Sequence, residues 1–157
     1  MGKKRGRRGI ERLVATYGDA VTRLDTPLWR TCWTDDATWL LGDRTATGIQ
    51  AVVEQWSNAT RALDFAAHVA FAVGIAVDGD RARGRWYVQE ILKPREAGPM
   101  LLFGTYDDRY RCDDGVWRFE QRRFSFLFRS ALPADGVAWF KVPKELDVPF
   151  GKPFDQR

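Results

Sequence analysis

From Phe65 onward the chain reads as long strands separated by turn signals, so an extended antiparallel sheet dominates its second half. His68 to Val77 is rich in Val, Phe and Ala and ends at Asp78-Gly79-Asp80, a strong hairpin signal. The partner strand runs from Arg81 to about Leu92. A loop from Pro94 to Pro99 leads to a third strand, Leu101 to Arg111. Asp113-Asp114-Gly115 then turns the chain into a last one, Val116 to Arg129. The first half is helical. Ile10, Leu13, Val14, Tyr17, Val21 and Leu24 recur at three- and four-residue steps, the apolar stripe of a helix ending near Leu24. Thr26-Pro27 offers an N-cap and a first-turn proline for a short second helix through Leu28, Trp29, Cys32 and Trp33. Ala37 to Leu41 is strand-like, and Thr47-Gly48 opens a third helix with Ile49, Val52, Val53 and Trp56 on its apolar face. Helices first and antiparallel strands after them predict an α+β domain: a curved sheet with helices on its concave face.

At 157 residues one domain is expected, spanning residues 10–131. Residues 1–9 hold Lys3, Lys4, Arg5, Arg7 and Arg8 between glycines and read as a disordered basic tail. Without those five charges the remaining net charge is −1, so the net +4 does not predict a nucleic-acid partner. Four of the seven prolines lie in the 21 residues after Leu132, which makes residues 132–157 a Pro-rich C-terminal arm. One histidine and two cysteines, none at ligand spacing, predict no metal. No apolar run approaches a membrane span and the basic start lacks a signal-peptide core, so a cytoplasmic location is expected. Seven tryptophans exceed what a minimal core needs and suggest a lined cavity or a broad interface.

A series of short motifs then falls into a known order. It runs Tyr17, Asp25, Trp33-Thr34-Asp35-Asp36-Ala37-Thr38-Trp39, Gly48, His68, Gly84-Arg85-Trp86-Tyr87, Gly104-Thr105-Tyr106 and Asp114-Gly115-Val116-Trp117. Over roughly residues 10 to 130 this resembles the SnoaL-like branch of the nuclear-transport-factor-2-like superfamily. Its relatives include scytalone dehydratase, bile-acid 7α-dehydratase and hexachlorocyclohexane dehydrochlorinase. The resemblance implies a cone-shaped, mostly antiparallel sheet with three helices closing a deep hydrophobic pocket. It also implies chemistry without a cofactor, on a small hydrophobic substrate. A homodimer or homotrimer is expected because an open sheet face and a Pro-rich arm call for cover. Fold alone does not select the reaction; the matched residues below point first to a lyase, a dehydratase of a hydroxylated substrate, with isomerisation or polyketide cyclisation on the same residues, or a non-catalytic ligand-binding or oxygenase β-type subunit, as alternatives. A second histidine, which the scytalone enzyme uses, is absent here, and Leu41 stands where that enzyme has a pocket tyrosine.

By the same resemblance Asp25 and His68 match an Asp-His dyad, and Arg122 matches a last-strand arginine five positions after Trp117. The chemistry suits those residue types. A neutral imidazole can take a proton near neutral pH, while a carboxylate fixes its tautomer and balances the imidazolium. Arg122 would stabilise an enolate or leaving-group oxygen. Its neighbour Arg123 competes for that role, because adjacent strand residues point to opposite faces. Glu90 follows the Gly-Arg-Trp-Tyr segment and, on an inner strand face, would need a partner. Tyr17, Tyr106, Trp33 and Trp39 are the expected substrate-binding wall, with core packing as the alternative for each.

Overall fold

The computed structural model describes residues 2–142. Helix α1 spans Lys3–Arg23, α2 Thr26–Thr31 and α3 Ile49–Thr60, and six strands follow the order β1 (Trp33–Leu41), β2 (Arg44–Thr47), β3 (Leu63–Asp78), β4 (Arg81–Pro94), β5 (Met100–Asp113) and β6 (Val116–Ala131). They form one curved, unclosed sheet in the spatial order β2-β1-β6-β5-β4-β3. All neighbours are antiparallel except β1 and β6, which run parallel. The architecture is the α+β cone expected above.

Period-two alternation decides which side chains enter the cone. On β4 the buried or part-buried positions Ala82, Gly84, Trp86, Val88 and Glu90 face inward, while Arg81, Arg83, Arg85, Tyr87 and Gln89 face out. On β5 the inward set is Leu102, Gly104, Tyr106, Asp108 and Tyr110. At Gly104 an added Cβ would lie 2.6 Å from the Phe124 ring, so glycine is what lets that ring cross the strand. Helix α1 closes the cone with Ile10, Leu13, Val14, Tyr17, Ala20 and Val21, all buried. Beside it Trp29 and Trp56 stack 4.5 Å apart at 15°, and Trp33 and Trp39 pack round them.

Several local expectations change. The residues read as a disordered tail are helical from Lys3, and their charged side chains lie on the solvent side of α1. Gly6 and Gly9 face the sheet: a Cβ at Gly9 would sit 2.5 Å from Trp117 Cδ1, and one at Gly6 2.8 Å from Val77 Cγ1. Glycine here allows close approach rather than disorder. The cap of α2 is Asp25, not Thr26; its Oδ1 accepts from the Leu28 N–H at 2.9 Å. Thr26 Oγ1 instead accepts from Trp56 Nε1 at 2.9 Å. Strand β1 begins at Trp33, and β2 is an additional strand behind the Gly42-Asp43 turn. Residues 132–142 form no regular element; Leu132 N–H donates to Pro99 O, and Trp139 packs on Phe65. The rest of the expected arm, 143–157, lies outside the described residues.

Candidate active site

Between α1, α3 and the concave face of the sheet lies a cavity of about 220 Å³. Val21, Trp39, Trp56, Leu92, Leu102 and Phe124 make its wall apolar, and Gly42, Asp43, Arg44, Thr60 and Phe126 stand at its rim. Away from the rim, three polar side chains line it: Glu90, Tyr17 and Tyr106.

Glu90 and His68 are directly opposed on β4 and β3, which brings Glu90 Oε1 to 2.7 Å from His68 Nδ1. The imidazole side chain is fully buried and the carboxylate is 14% exposed. His68 does not line the cavity; it stands behind Glu90. Its ring packs against α1 at Gly18, where a Cβ would come within 3.2 Å of Cδ2. His68 Nε2 is buried without a partner among the described residues. A protonated Nε2 there would be an unpaired buried donor, whereas a bare nitrogen costs less, so the neutral Nδ1–H tautomer donating to a Glu90 carboxylate fits best. Glu90 Oε2 makes no hydrogen bond among the described residues and is left for the cavity.

The expected Asp25–His68 dyad is not formed. Asp25 spends a carboxylate oxygen on the α2 cap and faces a separate surface hollow with Phe65 and Phe140. His68 takes Glu90 because cross-strand opposition outranks proximity to a helix end. Arg122 does face inward and Arg123 outward, but Arg122 is completely buried beneath the cavity rather than in its wall. Its Nε and Nη2 donate to Asp108 Oδ1 and Oδ2 at 2.9 and 3.0 Å, a bidentate pair between opposed residues of β6 and β5. Tyr110 donates to Asp108 Oδ2 at 2.7 Å and accepts from Trp86 Nε1 at 2.7 Å. The guanidinium carbon lies 3.6 Å from the Tyr106 ring centroid and 4.3 Å from that of Tyr17, in cation–π contact with both. Trp39 lines the cavity; Trp33 does not, and belongs to the tryptophan core.

Burial raises the pKa of both cavity tyrosines, Tyr106 the more strongly; Arg122 opposes the rise and the Glu90 charge adds to it. Both therefore remain phenols and present neutral O–H donors at ordinary pH. Burial works against the Arg122 charge, but Asp108 outweighs it and the guanidinium stays protonated. Asp108, Tyr110 and Trp86 were not singled out in the sequence as site-supporting residues. The two-residue period running from Tyr106 through Asp108 to Tyr110 carried the signal. No cluster of three His, Cys, Asp or Glu that could hold a metal occurs among the described residues, and none of their helices is long and apolar enough to cross a membrane.

A carboxylate base sharing a largely apolar chamber with two phenols can remove a proton from carbon next to a carbonyl and hold the resulting oxyanion. Comparison with known proteins agrees with the architecture. Residues 5–123 match the SnoaL-like domain family. No functionally curated protein matches the chain. A hexachlorocyclohexane dehydrochlorinase from Novosphingobium barchaimii LL02 superposes with a TM-score of 0.74 at 22% identity, covering 88% of this chain and 94% of that one. A protein provisionally named scytalone dehydratase from Novosphingobium aromaticivorans gives 0.75 at 20% identity, with 85% and 95% covered. A protein of unknown function from Mycobacterium tuberculosis gives 0.70 at 27% identity, with 80% and 76% covered.

Proposed function

The chain belongs to the SnoaL-like domain family, and from that footing we propose that it is a cofactor-independent lyase, a dehydratase of a small, hydrophobic, hydroxylated ring substrate. The observation that carries this reading is Glu90, the one carboxylate away from the cavity rim, held by His68 at 2.7 Å in a lining that also contains the protonated tyrosines Tyr17 and Tyr106. The dehydratase and dehydrochlorinase names of the structural neighbours support the reaction class.

In this reading Glu90 Oε2 takes the proton from the carbon beside a substrate carbonyl. The C–H electron pair becomes the enolate, whose oxygen accepts hydrogen bonds from Tyr17 and Tyr106. The enolate then re-forms the carbonyl, its electrons make the carbon–carbon double bond, and the β-hydroxyl leaves with the proton from Glu90 as water. Glu90 returns to carboxylate, and the net change is loss of one water. His68 keeps Glu90 oriented, and Arg122, held by Asp108, sets the field under the two phenols. Isomerisation would share the first step and return the proton to another carbon, whereas cyclisation would spend the enolate electrons on a carbon–carbon bond to a second carbonyl, whose oxygen takes the proton from Glu90.

The test uses the β-hydroxyketone 3-hydroxy-1-tetralone, whose dehydration yields fluorescent 1-naphthol. Wild-type protein is expected to form naphthol, and Glu90→Gln to lose about 10²–10⁴ of the rate with the fold intact. Naphthol formation at the wild-type rate by Glu90→Gln would overturn the assignment. Binding of the ketone without turnover by the wild type would make the chain a ligand-binding module.

A further inference from the structure

Helix α1 stops on a residue that does not favour the conformation required there. Leu24 has φ 55° and ψ 36°, in the left-handed region. Its N–H donates to Val21 O at 3.1 Å, and Asp25 N–H donates to Ala20 O at 2.9 Å. Helices commonly stop with this double return, and the left-handed position usually falls to glycine, which has no Cβ to crowd the carbonyl. A leucine at that point carries a backbone cost, which directs attention to what its side chain separates.

Leu24 stands between two spaces. On one side is the cavity of about 220 Å³ that holds Glu90, where Leu24 shares a wall with Val21 and Leu63. On the other is the hollow that Asp25 faces, about 470 Å³, bounded by Phe65, Phe140 and Val142. No other described residue lines both. The boundary continues on β3, where Leu63 belongs to the cavity and Phe65 to the hollow. Away from this wall the cavity opens at its rim, where Asp43 and Arg44 are exposed. An apolar chain leaving by the rim enters water and gains no further burial.

We propose that the Leu24 side chain is the partition that restricts the cavity to compact ring substrates, and that without it the hollow takes an alkyl extension of the ring. This rests on the cavity being the substrate site and deepens that reading by naming the substrate class. A bicyclic ketone of the size of a tetralone is held over its whole surface. A ring carrying an alkyl or acyl chain is held at the ring alone, because Leu24 denies the chain the apolar cover of Phe65, Phe140 and Val142.

The experiment measures, by calorimetry on the full chain, the affinity of 4-alkylphenols from 4-methylphenol to 4-hexylphenol, and so needs no turnover. Each methylene that finds cover should tighten binding about three- to four-fold, and the series breaks where cover ends. Leu24→Gly suits the left-handed turn and removes the side chain, so its break is expected about two or more carbons later than in the wild type. Leu24→Met, of similar volume, should keep the wild-type break. A leucine that only packs would lower the thermal midpoint in Leu24→Gly and leave the break in place, and that result overturns the proposal. So does a wild-type series that tightens without a break. Should Leu24→Gly fail to fold, Leu24→Ala carries the same two readings. Naphthol formation is measured in parallel. A shifted break in a protein that forms no naphthol keeps the partition and overturns the dehydratase reading, whereas naphthol formation with an unshifted break does the reverse. No binding of any phenol at about 1 mM overturns both.

Discussion

At the scale of single residues, the partner of His68 is decisive for the site: the family resemblance pointed to Asp25, and the structure gives Glu90. Counting back from the β3–β4 turn, where Asp78 opposes Arg81, a regular hairpin would set His68 against Ile91. The register shifts by one between Ala72 and Gly74, and the extra residue sets His68 against Glu90 instead. Gly74, an isolated glycine inside the strand, marks a site where a bulge can form but fixes neither its presence nor the sense of the shift, so the pairing was out of reach of the sequence, although Glu90, Tyr17, Tyr106 and Trp39 were each legible as cavity residues. The corrected roles separate by experiment. Asp25→Ala should cost about 1 kcal/mol of stability, the usual worth of a helix cap, and leave naphthol formation unchanged. A loss of turnover as deep as that of Glu90→Gln would restore Asp25 to the chemistry. Because the chain has one histidine, nitrogen-15 imidazole spectra report His68 without assignment. They should show the neutral Nδ1–H tautomer, and a dominant Nε2–H form would contradict the geometry.

At the scale of elements, hydrophobic period and turn chemistry located three helices and four long strands, because each has a face that must be buried. What escaped was set by contacts distant in sequence. Strand β2 is four residues long and pairs only with β1, too short to show a period. The first two turns of α1 bury glycine against the sheet, and a glycine has no side chain for a periodicity to register. Gly9→Ala therefore makes a discriminating variant. In a disordered tail it would do nothing, and in an isolated helix it would add about 1 kcal/mol of propensity. Here its Cβ would press 2.5 Å from the Trp117 ring, so the thermal midpoint should fall, with a net cost of about 1–3 kcal/mol. An unchanged or raised midpoint would mean that this end of α1 does not hold to Trp117.

At the scale of the whole molecule, the oddest investment is an ion pair at the centre of the cone. Asp108 and Arg122 are both fully buried, and burial pushes the Asp108 carboxyl up against the pull of Arg122. A buried pair of this kind repays its desolvation only through good geometry and extra hydrogen bonds, here the bidentate fork and the Tyr110 hydroxyl. Apolar residues of similar volume would serve stability as well or better, which fits the role proposed for the pair beneath Tyr17 and Tyr106. That reasoning separates two variants. Asp108→Asn leaves a buried guanidinium without its counter-charge and should cost about 3–5 kcal/mol, or about 6–20 °C in thermal midpoint for a chain this size. Asp108→Leu/Tyr110→Phe/Arg122→Met removes both charges and the hydroxyl between Asp108 and Trp86, leaving one indole N–H without its acceptor, and should recover most of that loss, while naphthol formation stays low because no positive charge lies beneath the phenols. If the triple variant melts as early as Asp108→Asn, the network is a structural requirement of the cone. If it recovers both midpoint and turnover, the charge under the tyrosines is dispensable and the cavity works through Glu90 and the phenols alone.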